Sequence, residues 1–475
     1  MKAVSLEQLA RAMGGEIRGD PARRVKGVST DTRSLKDGEL FVALKGERYD
    51  GHAFLQTARM AGAAGAVVSR RNRTWRQFVA RRADFPILIV NDSLEALGDI
   101  AAMVRDGLDV IAVGITGSTG KTCTKDFLTS ILSRCSKVAS PEGSYNNEIG
   151  VPLTVIGTKA GDKVLVAEMG ARRVGDIDRL TGIVKPEAGI ITNVGVAHLE
   201  LFGGREAVLD AKSELARALP PTGTLFVNLD DPASEKLLAR TAARVFTFGT
   251  RNGADYRARG IEVDRRGRAT FSIEGRGLEA RVALKTPGRH QVSNALAAAA
   301  CASQLGASKN DIIKGLEHAK LSSWRMECVE APGGYLVIND AYNANPQSMA
   351  AAIETLSDIA AGRRTIAVLG EMRELGEGSA DFHREVGETL ARSGADLLIA
   401  VGRGARCYAE AWVEQGLPRG SIFSCAGPGR ACEILSQIVE PGDVVLVKAS
   451  RAVGLEKVAG EACGEGFGAC GVADD

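Results

Sequence analysis

The chain has 475 residues and a mass of 49.9 kDa, which at roughly 150 residues per domain predicts about three domains. Hydrophobic residues make up 45% and charged residues 25% of the sequence, so a wholly disordered or collagen-like chain is excluded. The formal net charge of +2 gives no support to general polyanion binding.

The N-terminus alternates charged and apolar residues at helical spacing and lacks the continuous apolar core of a signal peptide. No stretch approaches the roughly 18 apolar residues that a membrane span needs. Nine cysteines without a Cys-x-x-Cys pair predict reduced thiols, with neither a disulfide framework nor a zinc site. We therefore expect a cytoplasmic monomer without a membrane span.

Residues 1–107 predict an N-terminal α/β domain in which short strands mix with helices. Apolar strands are predicted at Phe41–Gly46 and Pro86–Val90, and a helix followed by a strand is predicted after His52. The basic stretch Arg70–Arg82 is expected to form a solvated helix face. A nucleic-acid site is not favoured there, because no set of base-reading side chains accompanies the charge.

Residues 108–320 predict a central domain with a parallel sheet. Near-continuous apolar runs of strand length begin at Asp109, Lys163, Ala188 and Gly223, and helical patterns separate them. Such strands are typical of a parallel sheet that is buried on both faces. Between Tyr256 and Leu284 the residues alternate, which predicts a small antiparallel flank.

Residues 321–460 repeat the alternation of strand and helix and predict a C-terminal Rossmann-like domain. Its apolar strands are expected in YLVINDAY, TIAVLGEM, DLLIAVG and DVVLVKAS. The glycine-rich tail, residues 461–475, lacks periodicity and is expected to be a flexible end. The whole chain is thus predicted to be a three-domain α/β protein.

The strongest local signal is the glycine-rich segment Gly114–Thr122, GITGSTGKT, between a predicted strand and a predicted helix. Glycines leave backbone N–H groups open to a phosphate, and the positive end of the helix dipole lies behind them. Lys121 would reach the β- and γ-phosphates and the Thr122 hydroxyl would bind Mg²⁺. A plain glycine turn is the alternative, but the strand–turn–helix setting favours a nucleotide site.

Polar side chains end the next two predicted strands. Glu168 ends the first, and Asn193 and then His198 follow the second. Because the carboxyl ends of parallel strands collect ligands at one edge of a sheet, we expect these residues near the glycine loop. Oxygen ligands and an imidazole there predict a site for a hard cation.

These segments together resemble the Mur ligase family, the ATP-dependent enzymes that form amide bonds in peptidoglycan precursor synthesis. The resemblance covers nearly the whole chain and is carried, in family order, by TGSTGKT, SYNNEIGVPLT, EMGARRVGDI, TNVGVAHLELFGG, AKSE, GRHQVSNALAAAA and WRME. NDAYNANPQSM and VKASRAVGLEKV are most similar to the branch that adds D-alanyl-D-alanine to UDP-N-acetylmuramoyl-tripeptide.

The resemblance implies ATP and Mg²⁺ and assigns expected roles to matching positions. The nucleotide would be held by Thr116, Gly117, Ser118, Thr119, Gly120, Lys121, Thr122, Asn294, Arg325 and Asp340, with Asn294 at the adenine. Catalytic roles are implied for Lys121, Glu168, His198, Lys212, Arg325 and Asp340. The implied metal ligands are Thr122, Glu168, His198 and Lys212, of which Lys212 matches a lysine that the family carbamoylates.

The resemblance also implies sites for the other substrates. A uridine-diphosphate-sugar pocket would be formed by Ser29, Thr30, Asp31, Arg33, Lys45 and Gly46. Further substrate contacts are implied for Asn146, Asn147, Tyr342, Asn343 and Asn345. The dipeptide carboxylate would be read by Lys448, Ser450 and Arg451, a task that suits a planar guanidinium.

The expected reaction joins D-alanyl-D-alanine to UDP-N-acetylmuramoyl-tripeptide through an acyl phosphate. Gln291 and Ala449 depart from the asparagine and glycine usual in the family. Two alternatives stay open at this point. One is another amide ligase of the superfamily, such as an amino-acid-adding Mur ligase or a folylpolyglutamate synthetase. The other is a non-catalytic nucleotide switch built on a P-loop.

Overall fold

Three large β-sheets and one two-stranded ribbon are formed by the described residues of the computed structural model, 1–81, 84–195 and 199–464. Arg82, His198 and residues 465–475 of the predicted tail lie outside the described residues. The sheets contain strands from residues 16–90, 111–287 and 327–448 in turn. The mixed α/β fold class is as predicted. The domain boundaries predicted near Gly107 and Lys320 stay predictions.

The N-terminal sheet has five strands in the order β2-β7-β6-β5-β4, with β2 antiparallel to β7 and the other pairs parallel. The short strands β1 and β3 form the separate antiparallel ribbon. The elements of this region are β1 (Val4–Ser5), α1 (Leu6–Met13), β2 (Glu16–Arg18), β3 (Arg24–Val25), β4 (Gly27–Ser29), β5 (Glu39–Val42), α2 (Leu55–Met60), β6 (Gly65–Ser69), α3 (Thr74–Arg81), β7 (Ile87–Val90) and α4 (Ser93–Asp106).

The strand predicted at Phe41–Gly46 is wrong in its bounds, since β5 ends at Val42. The chain turns back after it: the Gly51 N–H donates to the Leu44 carbonyl at 2.7 Å, and the Gly46 N–H donates to the Tyr49 carbonyl at 2.9 Å. Lys45 and Gly46 therefore lie in a loop that closes on itself.

The central sheet has nine strands in the order β16-β15-β14-β13-β12-β11-β8-β10-β9. Strands β8 to β13 pair in parallel, and β14 joins β13 in parallel as well. Strands β14, β15 and β16 pair antiparallel and form the predicted flank. Its elements are β8 (Ile111–Thr116), α5 (Lys121–Leu132), β9 (Val138–Ala139), α6 (Gly150–Gly157), β10 (Val164–Glu168), α7 (Asp176–Val184), β11 (Ala188–Ile191), α8 (Leu199–Phe202), α9 (Arg205–Ala218), β12 (Thr224–Asn228), α10 (Ser234–Leu238), β13 (Arg244–Gly249), β14 (Tyr256–Val263), β15 (Arg268–Gly275), β16 (Leu278–Pro287), α11 (Gln291–Gln304) and α12 (Lys309–Glu317).

The C-terminal sheet has six strands in the order β17-β18-β22-β19-β20-β21, and all pairs except β17–β18 are parallel. Apolar clusters cover both faces of this sheet, as a doubly wound fold requires. Its elements are β17 (Glu327–Glu330), β18 (Leu336–Asn339), α13 (Pro346–Ala360), β19 (Thr365–Gly370), α14 (Ser379–Arg392), β20 (Leu397–Val401), α15 (Arg406–Glu414), β21 (Ile422–Cys425), α16 (Pro428–Ile438), β22 (Val444–Lys448) and α17 (Glu456–Ala462).

One apolar cluster runs from the N-terminal sheet into the central one. Helix α4 packs on α6 and α7, where Gly98 lies against Ile183. The buried Arg105 then donates from Nε to the Val184 carbonyl at 2.6 Å and pairs with Glu187 at 2.9 Å. The N-terminal sheet is thereby attached to the side of the central sheet that bears α6 and α7. Among the helices described, none has the length and apolar character to cross a membrane.

Candidate active site

The predicted phosphate loop lies between β8, which ends at Thr116, and α5, which begins at Lys121. Gly117 and Gly120 have φ values of +150° and +78°. A Cβ at Gly117 would come within 1.9 Å of Thr192 Oγ1, and one at Gly120 within 2.2 Å of Asn294 Oδ1. Only glycine fits at these two positions, so the loop approaches its neighbours through bare backbone.

Glu168, Thr122, Ser144 and Asn146 form a hydrogen-bonded group that we call the Glu168 cluster. The Glu168 carboxylate is 1% exposed and accepts from Thr122 Oγ1 at 2.7 Å, from Ser144 Oγ at 2.9 Å and from Asn146 Nδ2 at 2.7 Å. The structure thus brings together Thr122, Asn146 and Glu168, three predicted site residues from separate segments of the chain. Ser144 was missed as a site residue, although the segment SYNNEIGVPLT that contains it carried the family resemblance.

The Glu168 cluster offers oxygen ligands without a crowd of carboxylates. Within the residues that the structure describes, no group of three or more His, Cys, Asp or Glu side chains could hold a metal ion. A single carboxylate with a neighbouring threonine hydroxyl fits Mg²⁺, which keeps several waters and takes few protein ligands. His198, the predicted ligand of a second metal, lies outside the described residues.

Asn193 attaches the end of β11 to the phosphate loop. Its Oδ1 accepts from the N–H groups of Ser118 at 3.2 Å and Thr119 at 3.0 Å, and its Nδ2 donates to Thr119 Oγ1 at 2.6 Å. Ser118 Oγ in turn donates to the Gly195 carbonyl at 3.0 Å. The strand-end position of Asn193 indicated this proximity, but its hold on the loop could not be read from the sequence.

Lys121 lies inside the site with its Nζ donating to the Gly117 carbonyl at 2.8 Å. Burial lowers the pKa of Lys121 below its ordinary value, and the Arg325 charge acts in the same direction, while the Glu168 carboxylate opposes both. An anion placed between these cations would relieve their mutual repulsion.

Lys212 is on α9 and is 3% exposed. Burial lowers the pKa of Lys212 to about 7, and the Lys121 charge adds to the effect against Glu214 and Asp176. Glu214, two residues further along the same helix, accepts from two backbone N–H groups at the start of α7, at 2.6 and 2.8 Å. The AKSE segment therefore supplies an unusual lysine and a helix cap.

Asn294 lies beside the phosphate loop, and its Nδ2 donates to Gln291 Oε1 at 2.9 Å. Gln291 is 1% exposed and its Nε2 contacts Cys123 Sγ at 3.7 Å. Gln291, which stands where the family usually has asparagine, thus has a structural role: its longer side-chain amide links α11 to α5. The adenine contact of Asn294 stays a prediction.

Arg325 and Asp340 lie on the C-terminal side of the site. Arg325 stacks its guanidinium on the ring of Tyr342, 4.1 Å from the ring centre. Its Nε is buried and has no hydrogen-bond partner within residues 1–81, 84–195 and 199–464. Burial opposes ionisation, but the nearby Cys123, Glu168, Tyr342 and Asp340 raise the pKa of Arg325 above its ordinary value. Asp340 forms an ion pair with the buried Lys448 at 2.5 Å.

The other predicted residues of this sheet make internal contacts. Lys448 Nζ also donates to the Asn343 carbonyl at 2.9 Å, and Ser450 Oγ accepts from the Arg373 N–H at 2.9 Å. Asn345 caps α13. Arg451 stacks on Trp324, 4.2 Å from the ring centre, and pairs with Glu456 at 3.6 Å. Arg451 is therefore the best placed of the three predicted dipeptide contacts to meet a ligand.

Four of the predicted uridine-diphosphate residues, Ser29, Thr30, Asp31 and Arg33, lie at the end of β4, and Lys45 and Gly46 lie in the loop after β5. Ser29 Oγ donates to the Asp31 carbonyl at 2.9 Å, and the hydrogen bond from Arg33 holds the pKa of Asp31 below its usual value against the effect of burial. Thr30 lies between them. His52 is buried beside Asp50 and accepts at Nε2 from the Ser69 N–H at 2.9 Å.

Two more predicted residues have structural partners. The buried Thr116 donates its hydroxyl to the Met169 carbonyl at 2.8 Å. Asn147 Oδ1 accepts from the N–H groups of Ile149 and Gly150 at the start of α6. Their predicted contacts with nucleotide and substrate stay predictions.

Three regions of the chain match family sequence models. Residues 24–105 match the Mur ligase family catalytic domain, 115–302 the Mur ligase middle domain, and 324–451 the Mur ligase glutamate ligase domain. The chain belongs to the Mur ligase family. The resemblance stated from the sequence motifs is thereby confirmed.

The relatives of this Mur ligase at 30% identity or more include enzymes named for the addition of D-alanyl-D-alanine. The UDP-N-acetylmuramoyl-tripeptide–D-alanyl-D-alanine ligase of Mycobacterium tuberculosis is 38% identical, over 97% of each chain. A crystal structure of MurF from Acinetobacter baumannii matches with a TM-score of 0.86 at 32% identity, covering 98% of this chain and 99% of that one. MurF from Thermotoga maritima, solved in complex with ADP, matches at 0.78 and 30% identity, over 93% and 98%.

Proposed function

We propose that this Mur ligase joins D-alanyl-D-alanine to UDP-N-acetylmuramoyl-tripeptide and forms UDP-N-acetylmuramoyl-pentapeptide, ADP and phosphate. The observation that carries the proposal is the 38% identity, over nearly the whole chain, with a ligase of that name. The arrangement of Lys121, Thr122 and Glu168 around a glycine loop supports the use of ATP. The ADP complex of the Thermotoga relative supports it as well.

The phosphates of ATP would lie at the start of α5. The N-terminus of that helix directs backbone N–H groups and the positive end of its dipole towards them. Lys121 would exchange its bond to the Gly117 carbonyl for a bond to a phosphate oxygen. Arg325 Nε, which has no hydrogen-bond partner among the described residues, would donate to the nucleotide as a second cationic contact. Asn294 and Asp340 would complete this side.

Mg²⁺ would be held by Thr122 and Glu168, which fit it by the chemistry of their oxygens. When bound, it would neutralise phosphate charge and polarise the transferred phosphoryl group. His198 and a carbamate on Lys212 would hold a second ion. Thr122 can bind the ion through a lone pair of its hydroxyl oxygen while the hydroxyl still donates to Glu168, so the Glu168 cluster is expected to persist on loading.

We propose that Lys212 carries the carbamate that the family resemblance implies, and its burial supports this. A pKa of about 7 leaves a large fraction of the side chain as a neutral amine at neutral pH. The amine nitrogen attacks the carbon of CO₂, loses a proton to solvent and becomes an anionic carbamate. The carbamate places an anion near the Lys121 charge, which would repel Lys212 in its protonated form.

The reaction would run in two steps. The terminal carboxylate of the tripeptide attacks the γ-phosphorus of ATP, ADP leaves, and an acyl phosphate forms. The neutral amine of D-alanyl-D-alanine then attacks the acyl carbon, loses a proton, and expels phosphate. Lys121 and Arg325 lower the repulsion between the anionic carboxylate and the phosphates, and Arg451 orients the dipeptide through its carboxylate.

The three sheets would divide the substrates. The N-terminal domain, residues 1–107, would hold the uridine diphosphate sugar with Ser29, Thr30, Asp31, Arg33, Lys45 and Gly46. The central domain, 108–320, would hold ATP, and Asn146 and Asn147 would contact the peptide. The C-terminal domain, 321–460, would hold the dipeptide with Tyr342, Asn343, Asn345, Lys448, Ser450 and Arg451. We propose that the enzyme works as a monomer.

The test is the product of the purified chain. It is incubated with ATP, Mg²⁺ and UDP-N-acetylmuramoyl-tripeptide carrying either lysine or diaminopimelate, together with D-alanyl-D-alanine or single amino acids. Mass spectrometry should find UDP-N-acetylmuramoyl-pentapeptide and one ADP per product only with the dipeptide. Ligation of a free amino acid instead would assign the chain to another amide ligase of the superfamily. ADP release that is independent of both acceptor substrates would favour a nucleotide switch.

A further inference from the structure

Two arginine–aromatic stacks meet at Trp324, in the segment that leads from α12 into the C-terminal sheet. The Arg451 guanidinium lies 4.2 Å from the centre of the Trp324 ring, and the Arg325 guanidinium lies 4.1 Å from that of Tyr342. The Tyr342 N–H donates to the Trp324 carbonyl at 3.3 Å. Trp324 therefore contacts one stack with its ring and the other with its backbone.

Both guanidinium groups have unused hydrogen-bonding capacity. Arg325 Nε and Arg451 Nη1 are buried and have no hydrogen-bond partner among the residues that the structure describes. A buried N–H without an acceptor is costly, so Arg325 Nε is a candidate contact for an anionic ligand, whereas Arg451 Nη1 already faces Glu456 Oε1 at 3.6 Å. Stacking occupies the face of a guanidinium and leaves its edge free to bind a carboxylate with two parallel hydrogen bonds.

The backbone around Trp324 is held in an unfavourable conformation. Trp324 and Met326 have φ values of +61° and +53°, a region that side chains with a Cβ rarely adopt. The Met326 N–H donates to Asp340 Oδ1 at 3.1 Å, and the Trp324 N–H donates to Glu327 Oε2 at 3.2 Å. Strain of this kind persists where surrounding contacts determine the geometry.

The same segment is attached to the nucleotide side. The Ser322 N–H donates to Asp126 Oδ2 on α5 at 2.7 Å, one turn after the Lys121 that begins that helix. From Ser322 the chain passes to Trp324 and then directly to Arg325. A short stretch of backbone thus connects the helix of the phosphate loop with both stacks.

We propose that Trp324 is a positioning residue that holds Arg451 for the carboxylate of the dipeptide. Its ring fixes the plane of the Arg451 guanidinium, and its backbone sets that plane relative to Arg325 on the nucleotide side. The inference rests on the proposed function, which supplies the dipeptide as the ligand of Arg451. Trp324 itself touches no substrate in this scheme.

The experiment compares Trp324→Leu with Trp324→Phe. Both replacements carry a Cβ at the same positive φ, so they share the backbone strain and differ in the aromatic face. Trp324→Leu should raise KM for D-alanyl-D-alanine about threefold to thirtyfold, in the range that one cation–π contact supplies. Trp324→Phe should recover most of this loss. KM for ATP should rise less, and KM for UDP-N-acetylmuramoyl-tripeptide should stay at the wild-type value in both variants.

A double-mutant cycle separates positioning from general destabilisation. In an Arg451→Ala background, Trp324→Leu should raise the dipeptide KM no further, because the group that it positions is gone. Additive effects, equal dipeptide KM in the Leu and Phe variants, or a joint rise of all three KM values with a lower Tm would overturn the role. A wild-type chain that makes no UDP-N-acetylmuramoyl-pentapeptide contradicts the proposed function. A wild-type chain that makes it while the two Trp324 variants behave alike contradicts the role of Trp324 alone.

Discussion

The Glu168 cluster and the two arginine stacks both border the proposed ATP site, but they differ in how far their polar atoms are satisfied. The Glu168 carboxylate accepts three hydrogen bonds from side chains of the central domain. Arg325 and Arg451 each keep a buried nitrogen without a hydrogen-bond partner among the described residues. The first region is organised without a ligand, whereas in the second Arg325 keeps a donor that we expect a ligand to satisfy.

The largest effect is expected at Lys121, the lysine of the phosphate loop, whose pKa is lowered by burial and raised by the Glu168 carboxylate. Lys121→Ala removes the cation nearest the proposed phosphates, and the ligation rate should fall at least about a hundredfold. The Tm should change little, because Lys121 donates only to the Gly117 carbonyl among the described residues. Lys163→Ala, a replacement of a lysine with a side chain 64% exposed, is the control and should ligate at the wild-type rate. Equal ligation rates for Lys121→Ala and Lys163→Ala would show that Lys121 does not take part in the reaction.

Glu168→Gln tests whether the organised region depends on charge. The glutamine amide would turn an N–H donor towards Thr122 or Ser144 and would remove the only carboxylate of the cluster, so kcat/KM should fall about tenfold to a hundredfold. The Mg²⁺ concentration for half-maximal rate should rise. Ser144→Ala removes one of three hydrogen bonds and should cost less, about threefold to tenfold. A wild-type Mg²⁺ dependence in Glu168→Gln would contradict the proposed metal site.

Arg325→Lys tests the unsatisfied region. Lysine keeps the charge but loses the planar fork and most of the stacking on Tyr342, so KM for ATP should rise about tenfold, with a smaller change in kcat. Tyr342→Leu removes the ring and leaves the guanidinium, and should raise KM for ATP about twofold to fivefold. If Tyr342→Leu had the larger effect, the ring and not the guanidinium would be the nucleotide contact.

The smallest effect concerns stability near the C-terminal side of the site. Burial lowers the pKa of His290 from 6.5 to about 4, with Lys448 acting in the same direction and Asp340 opposing. Because the unfolded chain takes up this proton near pH 6.5 and the folded chain only near 4, the contribution to stability is complete above pH 6.5 and is lost as the pH falls towards 4.

His290→Gln should therefore lose less stability than the wild type between pH 7 and pH 4.5, by on the order of 1–2 kcal/mol. Denaturant unfolding of both proteins at the two pH values measures this difference. Comparing each protein with itself cancels any loss that the substitution causes at neutral pH. A pH dependence that is the same in both proteins would show that His290 titrates normally in the folded chain.

The sequence was most informative where a motif and a sheet edge coincide. Lys121 and Thr122 follow from the glycine spacing, and Glu168 follows from its place at the end of the next apolar strand, because parallel strands deliver their ends to one edge. Ser144 lies in a segment of irregular backbone, where no periodicity indicates the direction of a side chain. Its contact with Glu168 was therefore not predictable.

Residues of the C-terminal sheet were harder to interpret for a different reason. Lys448 has the charge expected of a carboxylate contact, yet its partner is Asp340, 108 residues earlier in the chain. Asn345 matches the family motif, yet it caps α13. Residue type gives the bonding capacity of a side chain, and only the packed sheet shows which part of that capacity is already used.

Gly117 and Gly120 have a consequence for how this protein can diverge. In this structure a Cβ at Gly117 would collide with Thr192, and one at Gly120 with Asn294. A descendant that stopped using ATP would be free to replace Lys121, but each glycine could change only together with its neighbour. Among distant descendants, the lysine is therefore a better marker of nucleotide use than the glycines, which the packing alone is sufficient to preserve.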